Sequence, residues 1–321
     1  MLSRNVYDNV KLKSTRDGFG EALLELGKKN KDIVVVSADL AESTRIDKFA
    51  KKYPNRFFEV GVAEQNAMGI AAGLALSDKI PYVASFAVFS PGRNWDQLRI
   101  SVALSQANVK IASSHAGLSV GPDGASHQAL EDIAIVRTLP NMTVVVPCDY
   151  TQTKKATLES AKIKGPVYLR LGRPASPIIT TKSSAFKIGV ADVLLKGSDI
   201  TIVACGPILY EALLAAKELQ KRKIKAEVIN LHTIKPLDKT TILRSVKKTK
   251  KLITVEDHQV AGGMGSAIVE MLAENYPVPT QMIGVRDSFG ESGEPQELWD
   301  KYGLSHPHII EAALKLIKKK I

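Results

Sequence analysis

Glu64 is the only carboxylate in a run of small and apolar residues, VGVAEQNAMGIAAG, from Val60 to Gly73. A carboxylate among so many alanines and glycines is costly to bury, so its place there asks for a purpose. Other polar groups stand just after strand-like runs: Asp39 and Ser43 in SADLAES, His115, Asp123 and His127 in SSHAGLSVGPDGASHQ, and Arg170 and Arg173 in RLGRP. Two phenylalanines, Phe86 and Phe89, follow another such run in FAVFSPGRN. Each has an ordinary reading taken singly. Asp39 and Ser43 could cap helices, the phenylalanines could be core, Asp123-Gly124 could be a turn, and Glu64 could be a first-turn carboxylate favoured by the helix dipole. Together they mark a ligand site, because ligands of open α/β sheets bind outside the carboxyl ends of the strands.

Two motifs suggest other chemistry and fail on context. GLSVG, Gly117–Gly121, matches the G-x-S-x-G elbow of serine hydrolases, but that motif needs a helix next, and GPDGAS opposes one. AGGMGSA, Ala261–Ala267, is glycine-rich, yet it lacks the third glycine of a dinucleotide fingerprint and the lysine of a P-loop. It reads as a tight turn opening a helix.

The elements that would position these residues alternate. DIVVVSADL, PYVASFAVF, VKIASSH, MTVVVPCD and VYLRLG read as buried strands, with helical spacing in GFGEALLELGKKN, EQNAMGIAAGLALS, NWDQLRISVALSQAN and DYTQTKKATLESAKI between them. Continuous apolar strands alternating with helices imply a parallel sheet covered on both faces. A Pro/Ser/Thr-rich stretch breaks the rhythm, and a second α/β series follows it. The expected organisation is therefore α/β with two domains, each a mostly parallel sheet flanked by helices: residues 1–175, a linker over 176–190, and 191–321.

The bulk numbers exclude several classes. Of 321 residues, 45% are hydrophobic and 24% charged, as in globular proteins. No apolar run is long enough to span a membrane, and the N-terminus has no signal-peptide core. Cys148 and Cys205 lack metal-ligand spacing and read as buried, reduced thiols of a cytoplasmic protein. The net charge of +11 suits nucleic acid or a phosphorylated substrate, but the lysines are dispersed over helix ends, which argues against nucleic acid.

FFEVGVAEQNAMGIAAGLAL, SFAVF and SHAGLSVGPDGASHQALEDIAIVRTLPNM together resemble the thiamine-diphosphate pyrimidine-binding domain of transketolases. LHTIKPLD, ITVEDHQVAGGMGSAIVE and DSFGESGEPQELWDKYGL are similar to that family's C-terminal domain. The resemblance runs from about Thr15 onward and implies transfer of a two-carbon ketol unit between sugar phosphates, with thiamine diphosphate and Mg2+ as cofactors. It casts Glu64 as the acid at the pyrimidine ring. An apolar pocket would hold Glu64 un-ionised by desolvation, and the proton it shares with the ring would make the cofactor's own amine the base. Phe86 and Phe89 become the stacking wall, with Gly92 where many relatives have a third aromatic and Trp95 beyond it. Asp39 and Leu40 lie near the cofactor. His115 and His127 bind hydroxyls of donor and acceptor and join Glu64 as catalytic residues, while Asp123 reads another hydroxyl. Arg16, Ser43 and Arg173 grip the substrate phosphate, a dianion suited to bidentate arginine.

A complete transketolase also has a domain that holds the diphosphate and metal through a GDG motif, and no GDG occurs here. The resemblance thus implies a C-terminal subunit that has no metal site of its own and is active only with an N-terminal subunit, in a two-plus-two heterotetramer. Relatives of the deoxyxylulose-phosphate synthase type, which usually carry aspartate at the place of His115, and 2-oxoacid dehydrogenase β subunits are the alternative thiamine enzymes. A non-catalytic regulatory homologue is the alternative of another class. His258 and Asp257 read as packing and dimer-contact residues.

Overall fold

Strands rich in β-branched residues fold where both faces can be covered. In the computed structural model, which describes residues 2–3 and 5–318, the run Ile33–Ser37 is buried at every residue. Residues 1, 4 and 319–321, at the outer ends of the two expected domains, lie outside that description.

Seven strands form the first sheet, in the order Thr233–Lys235, Thr143–Val145, Val167–Arg170, Lys110–Ser114, Ile80–Phe86, Ile33–Ser37 and Phe57–Glu59. All pairings are parallel except the first, where Thr233–Lys235 runs antiparallel to Thr143–Val145. The second sheet has five strands: Thr280–Val285, Leu252–Gln259, Ile200–Ala204, Ala226–Asn230 and Asp192–Leu195, of which only the last pairs antiparallel. These are the two α/β units expected from the alternating pattern.

The halves are joined by more than a tether. Strand Thr233–Lys235 belongs to the second half of the chain but completes the first sheet. One apolar cluster runs from Val36, Ala67 and Ile111 to Val203, Ile229 and Met264, so burial that stabilises one sheet also fixes the other against it. The connecting stretch is pinned as well. Ala175–Pro177 pairs with Leu12–Ser14, and Asp149 caps the helix Tyr150–Ser160 while its Oδ2 accepts the Ile179 N–H at 2.8 Å.

Strand and helix order place the chemistry at one edge. Asp39, Phe89, His115 and Arg173 all follow the carboxyl ends of central strands of the seven-stranded sheet.

Candidate active site

The helix Glu64–Leu76 begins at the glutamate itself. Its residues are mostly Ala, Gly, Leu and Met, and its buried side is Ala67, Met68, Ala71 and Ala72, so the small residues let it lie close against strand Ile80–Phe86. That packing buries Glu64, which is 3% exposed. Its surroundings differ from the apolar pocket expected of it. Arg93 Nη1 donates to Oε1 at 3.2 Å and Oε2 at 3.1 Å, and the Ser85 hydroxyl donates to Oε1 at 3.4 Å. Glu64 is thus held by a guanidinium and a hydroxyl as well as by its apolar neighbours. An open cavity of about 720 Å3 lies over the pair, lined by Val62, Ala63, Glu64, Gln65, Asn66 and Arg93.

Phe86 follows Ser85 in the strand, so the next side chain turns to a different neighbour. It stacks on His115 with ring centroids 3.7 Å apart and on Phe89 at 5.7 Å, and both phenylalanines meet the edge of His127. Beside Gly92 the Arg93 guanidinium lies over the Phe89 ring, 3.8 Å from its centroid, a cation–π contact. Trp95 packs against the core. Arg93 was invisible to motif reasoning, though it is the residue next to Gly92.

His115 has a left-handed backbone, φ 58°, and its Nδ1 is 2.9 Å from the Ser114 hydroxyl. Burial, with the positive charges of Arg16 and Arg173, pushes its pKa down to about 3. The ring is therefore neutral at physiological pH, and one of its nitrogens remains an acceptor. His127 is half-buried, with Nδ1 2.9 Å from the Ser126 hydroxyl.

Beside these rings the arginines converge. Arg16 Nη1 donates to the Ser43 carbonyl at 2.7 Å, and the buried Arg16 Nε has no partner. Arg16's pKa is lowered chiefly by its burial, and further by the guanidiniums of Arg45 and Arg173, with Asp17 acting the other way. Arg173 donates to the Val120 carbonyl at 2.8 Å and sits 3.8 Å from Asp123. Arg45, not singled out in the sequence, pairs with Asp17 at 2.9 Å.

Asp39 and Leu40 lie at the rim. Asp39 is exposed, with φ 61°, and its N–H donates to Glu59 Oε1, which also takes the N–H groups of Val60 and Gly61. Glu59 thereby ties the Asp39 turn to the start of the Glu64 run. Arg170 is not part of this group. It is buried against Asp132 at 2.8 Å and donates to the Asp257 carbonyl. The GLSVG pentapeptide forms a 3-10 turn, Leu118–Val120, not an elbow. The glycine-rich segment opens the helix Met264–Asn275, with Glu256 accepting its first N–H groups. Among the described residues no three His, Cys, Asp or Glu side chains form a metal cluster, and no helix is long and apolar enough to cross a membrane.

Residues 11–178 match the family described as transketolase, pyrimidine binding domain, and residues 189–309 match transketolase, C-terminal domain. The chain belongs to the transketolase family. It is 46% identical over 312 residues to a putative transketolase C-terminal section from Methanocaldococcus jannaschii, covering 96% of this chain and 98% of that protein. It is 42% identical over 305 residues to a 6-deoxy-6-sulfo-D-fructose transketolase subunit from a Clostridium species, covering 95% of each. Among solved structures, a split gene transketolase described as an inactive β4 tetramer superimposes with a TM-score of 0.90 at 46% identity, covering 96% of this chain and 99% of that one. This transketolase chain therefore shares fold and extent with proteins that correspond to the pyrimidine-binding and C-terminal portions of the family.

Proposed function

We propose that this chain is the C-terminal subunit of a split, thiamine-diphosphate-dependent transketolase that moves a two-carbon ketol unit between sugar phosphates. The observation that carries the reading is the convergence of a buried glutamate, a stacked Phe86–Phe89 pair, two histidines and the Arg16–Arg173 group at one sheet edge.

The residues fit the pyrimidine half of the cofactor. A flat aromatic face stands beside a carboxylate, and the guanidinium that now joins the two is itself flat and multiply donating. Phe86 and Phe89 would hold the ring, Glu64 would hold a proton at the ring nitrogen, and Asp39 and Leu40 would border the cofactor. When bound, thiamine diphosphate supplies the nucleophilic carbon of ketol transfer; the protein supplies placement and electrostatics. His115, whose ring is neutral, and His127 orient sugar hydroxyls, Asp123 accepts from another, and Arg16, Ser43 and Arg173 take the phosphate.

The diphosphate and Mg2+ fall to an N-terminal subunit, in a two-plus-two assembly. The helix Glu64–Leu76 supports a second polypeptide at this face. Val62 and Leu76 are 69% and 72% exposed, and a Cβ added at Gly69 or Gly73 would meet nothing within 4 Å. Contacts within this chain therefore give no reason for glycine there, whereas close approach of another chain does. Relatives with other sugar substrates leave the phosphorylated pair to be read from the Arg16–Arg173 group.

Purified chain, supplied with thiamine diphosphate and Mg2+, is expected to show no transfer from xylulose 5-phosphate to ribose 5-phosphate, and to gain it on mixing with the diphosphate-binding subunit. Robust turnover by the lone chain would contradict the reading.

A further inference from the structure

From the same geometry we infer that Asp257, in the second sheet, is a positioning residue for the phosphate-binding Arg173. The inference rests on the function proposed above. Asp257 lies near the carboxyl end of strand Leu252–Gln259 and is 5% exposed. Its carboxylate crosses to the first half of the chain and accepts two successive backbone donors, Leu118 N–H at 2.8 Å and Ser119 N–H at 3.2 Å. These are the first N–H groups of the 3-10 turn Leu118–Val120, which no helix end of its own satisfies. The turn's last carbonyl, on Val120, receives Arg173 Nη1 at 2.8 Å. One three-residue turn thus connects the Asp257 carboxylate to the Arg173 guanidinium.

Two further contacts fix the same turn. Gln128 Nε2, itself in the first half, donates to the Leu118 carbonyl at 3.2 Å and to the Glu291 carbonyl of the second half at 2.9 Å, and so ties the turn to the second half. Gly117 has φ 83°, and a Cβ there would lie 2.3 Å from Asp257 Oδ2, so the backbone approaches the carboxylate more closely than any side chain allows. Behind Asp257, its own carbonyl accepts Arg170 Nη2 at 2.9 Å, and Arg170 is locked by Asp132. The C-terminal domain therefore sets the orientation of a substrate-binding arginine without touching substrate.

The test compares Asp257→Asn with Glu270→Gln. Glu270 forms an ion pair with Arg137 that also joins the two halves but touches neither the turn nor Arg173. In the reconstituted enzyme, Asp257→Asn should raise KM for a phosphorylated acceptor about tenfold, leave kcat within about twofold, and leave KM for an unphosphorylated acceptor unchanged, the pattern of a lost binding contact. In the lone chain, the Leu118 and Ser119 amides should exchange with solvent at least about tenfold faster in Asp257→Asn than in the parent or Glu270→Gln. Gln128→Met should reproduce the KM effect, and it decides the matter if Asp257→Asn does not fold. Unchanged amide exchange, equal KM changes in Glu270→Gln, or equal losses with both acceptor types would overturn the assignment. The exchange measurement needs no ketol transfer. An inactive parent mixture would thus sink the proposed function, while the exchange rates would still decide whether Asp257 holds the turn.

Discussion

Arg93 grips both carboxylate oxygens of Glu64 while its guanidinium lies over Phe89. On the proposed function, an aminopyrimidine would stack and hydrogen-bond where this planar cation sits. Cofactor entry on the proposed path requires Arg93 to swing out toward solvent, which its 47% exposure permits.

Replacing Arg93 by Met should accordingly tighten thiamine diphosphate binding in the assembled enzyme. Arg93 is half-exposed but Glu64 is buried, so the pair is worth at least the ~1 kcal/mol at the top of the range for surface pairs, and the apparent Kd should fall about fivefold or more. Calorimetric titration of the parent and Arg93→Met complexes measures it. Weaker binding by the variant would mean that Arg93 holds the cofactor rather than its place.

Glu64→Gln removes the acid but keeps its size and leaves hydrogen-bonding atoms for Ser85. The variant should fold and assemble like the parent and lose turnover by ~10²–10⁴, the usual worth of a positioned proton-transfer group. Circular dichroism and steady-state kinetics on the same sample would show both. Parent-like turnover would remove Glu64 from the mechanism.

His115 gives a pH signature. Its pKa is held at about 3 in the fold, against 6.5 for a free histidine. The fold favours the neutral ring, so this contribution to stability is complete above about pH 6.5 and is lost as pH falls from there toward 3. In that window the slope is up to ~1.4 kcal/mol per pH unit. Urea unfolding of the parent and His115→Asn between pH 7 and 4 should give a flatter decline for the variant. Parallel curves would mean that the ring protonates in the fold much as it does unfolded.

Gly73 tests the partner face. Because nothing in this chain lies near its Cβ direction, Gly73→Leu should not destabilise the lone chain, and relief of glycine's helical cost of ~0.5–1 kcal/mol favours it. The same side chain should block a closely packed second polypeptide. Thermal melting and light scattering of the mixture with the diphosphate-binding subunit report the two effects. Normal assembly would place the partner elsewhere.

Much of the architecture was legible because parallel strands buried on both faces leave unbroken apolar runs such as IVVVS, and the residues of interest follow those runs. Strand Thr233–Lys235 was not legible: three residues in a turn-rich stretch carry no periodicity, and their place at the edge of the other sheet is decided by tertiary pairing. Residue type alone singled out Glu64, His115 and His127, and the structure gathers them around Ser85 and Phe86. Arg93 and Asp257 were harder. Arg93 reads as a surface arginine in a loop until Phe89 and Glu64 are brought beside it. Asp257 acts through backbone N–H groups 139 and 138 residues away, a distance that no local pattern encodes.

The central claim is that Glu64 meets the pyrimidine ring at a face closed by a second polypeptide. A structure of the chain with its diphosphate-binding partner and thiamine diphosphate tests it most directly. The account predicts a Glu64 carboxylate oxygen within ~2.6–3.2 Å of a ring nitrogen, the ring against Phe86 and Phe89, and Arg93 displaced. Cofactor density remote from Glu64, with the Arg93 pair intact, would contradict it.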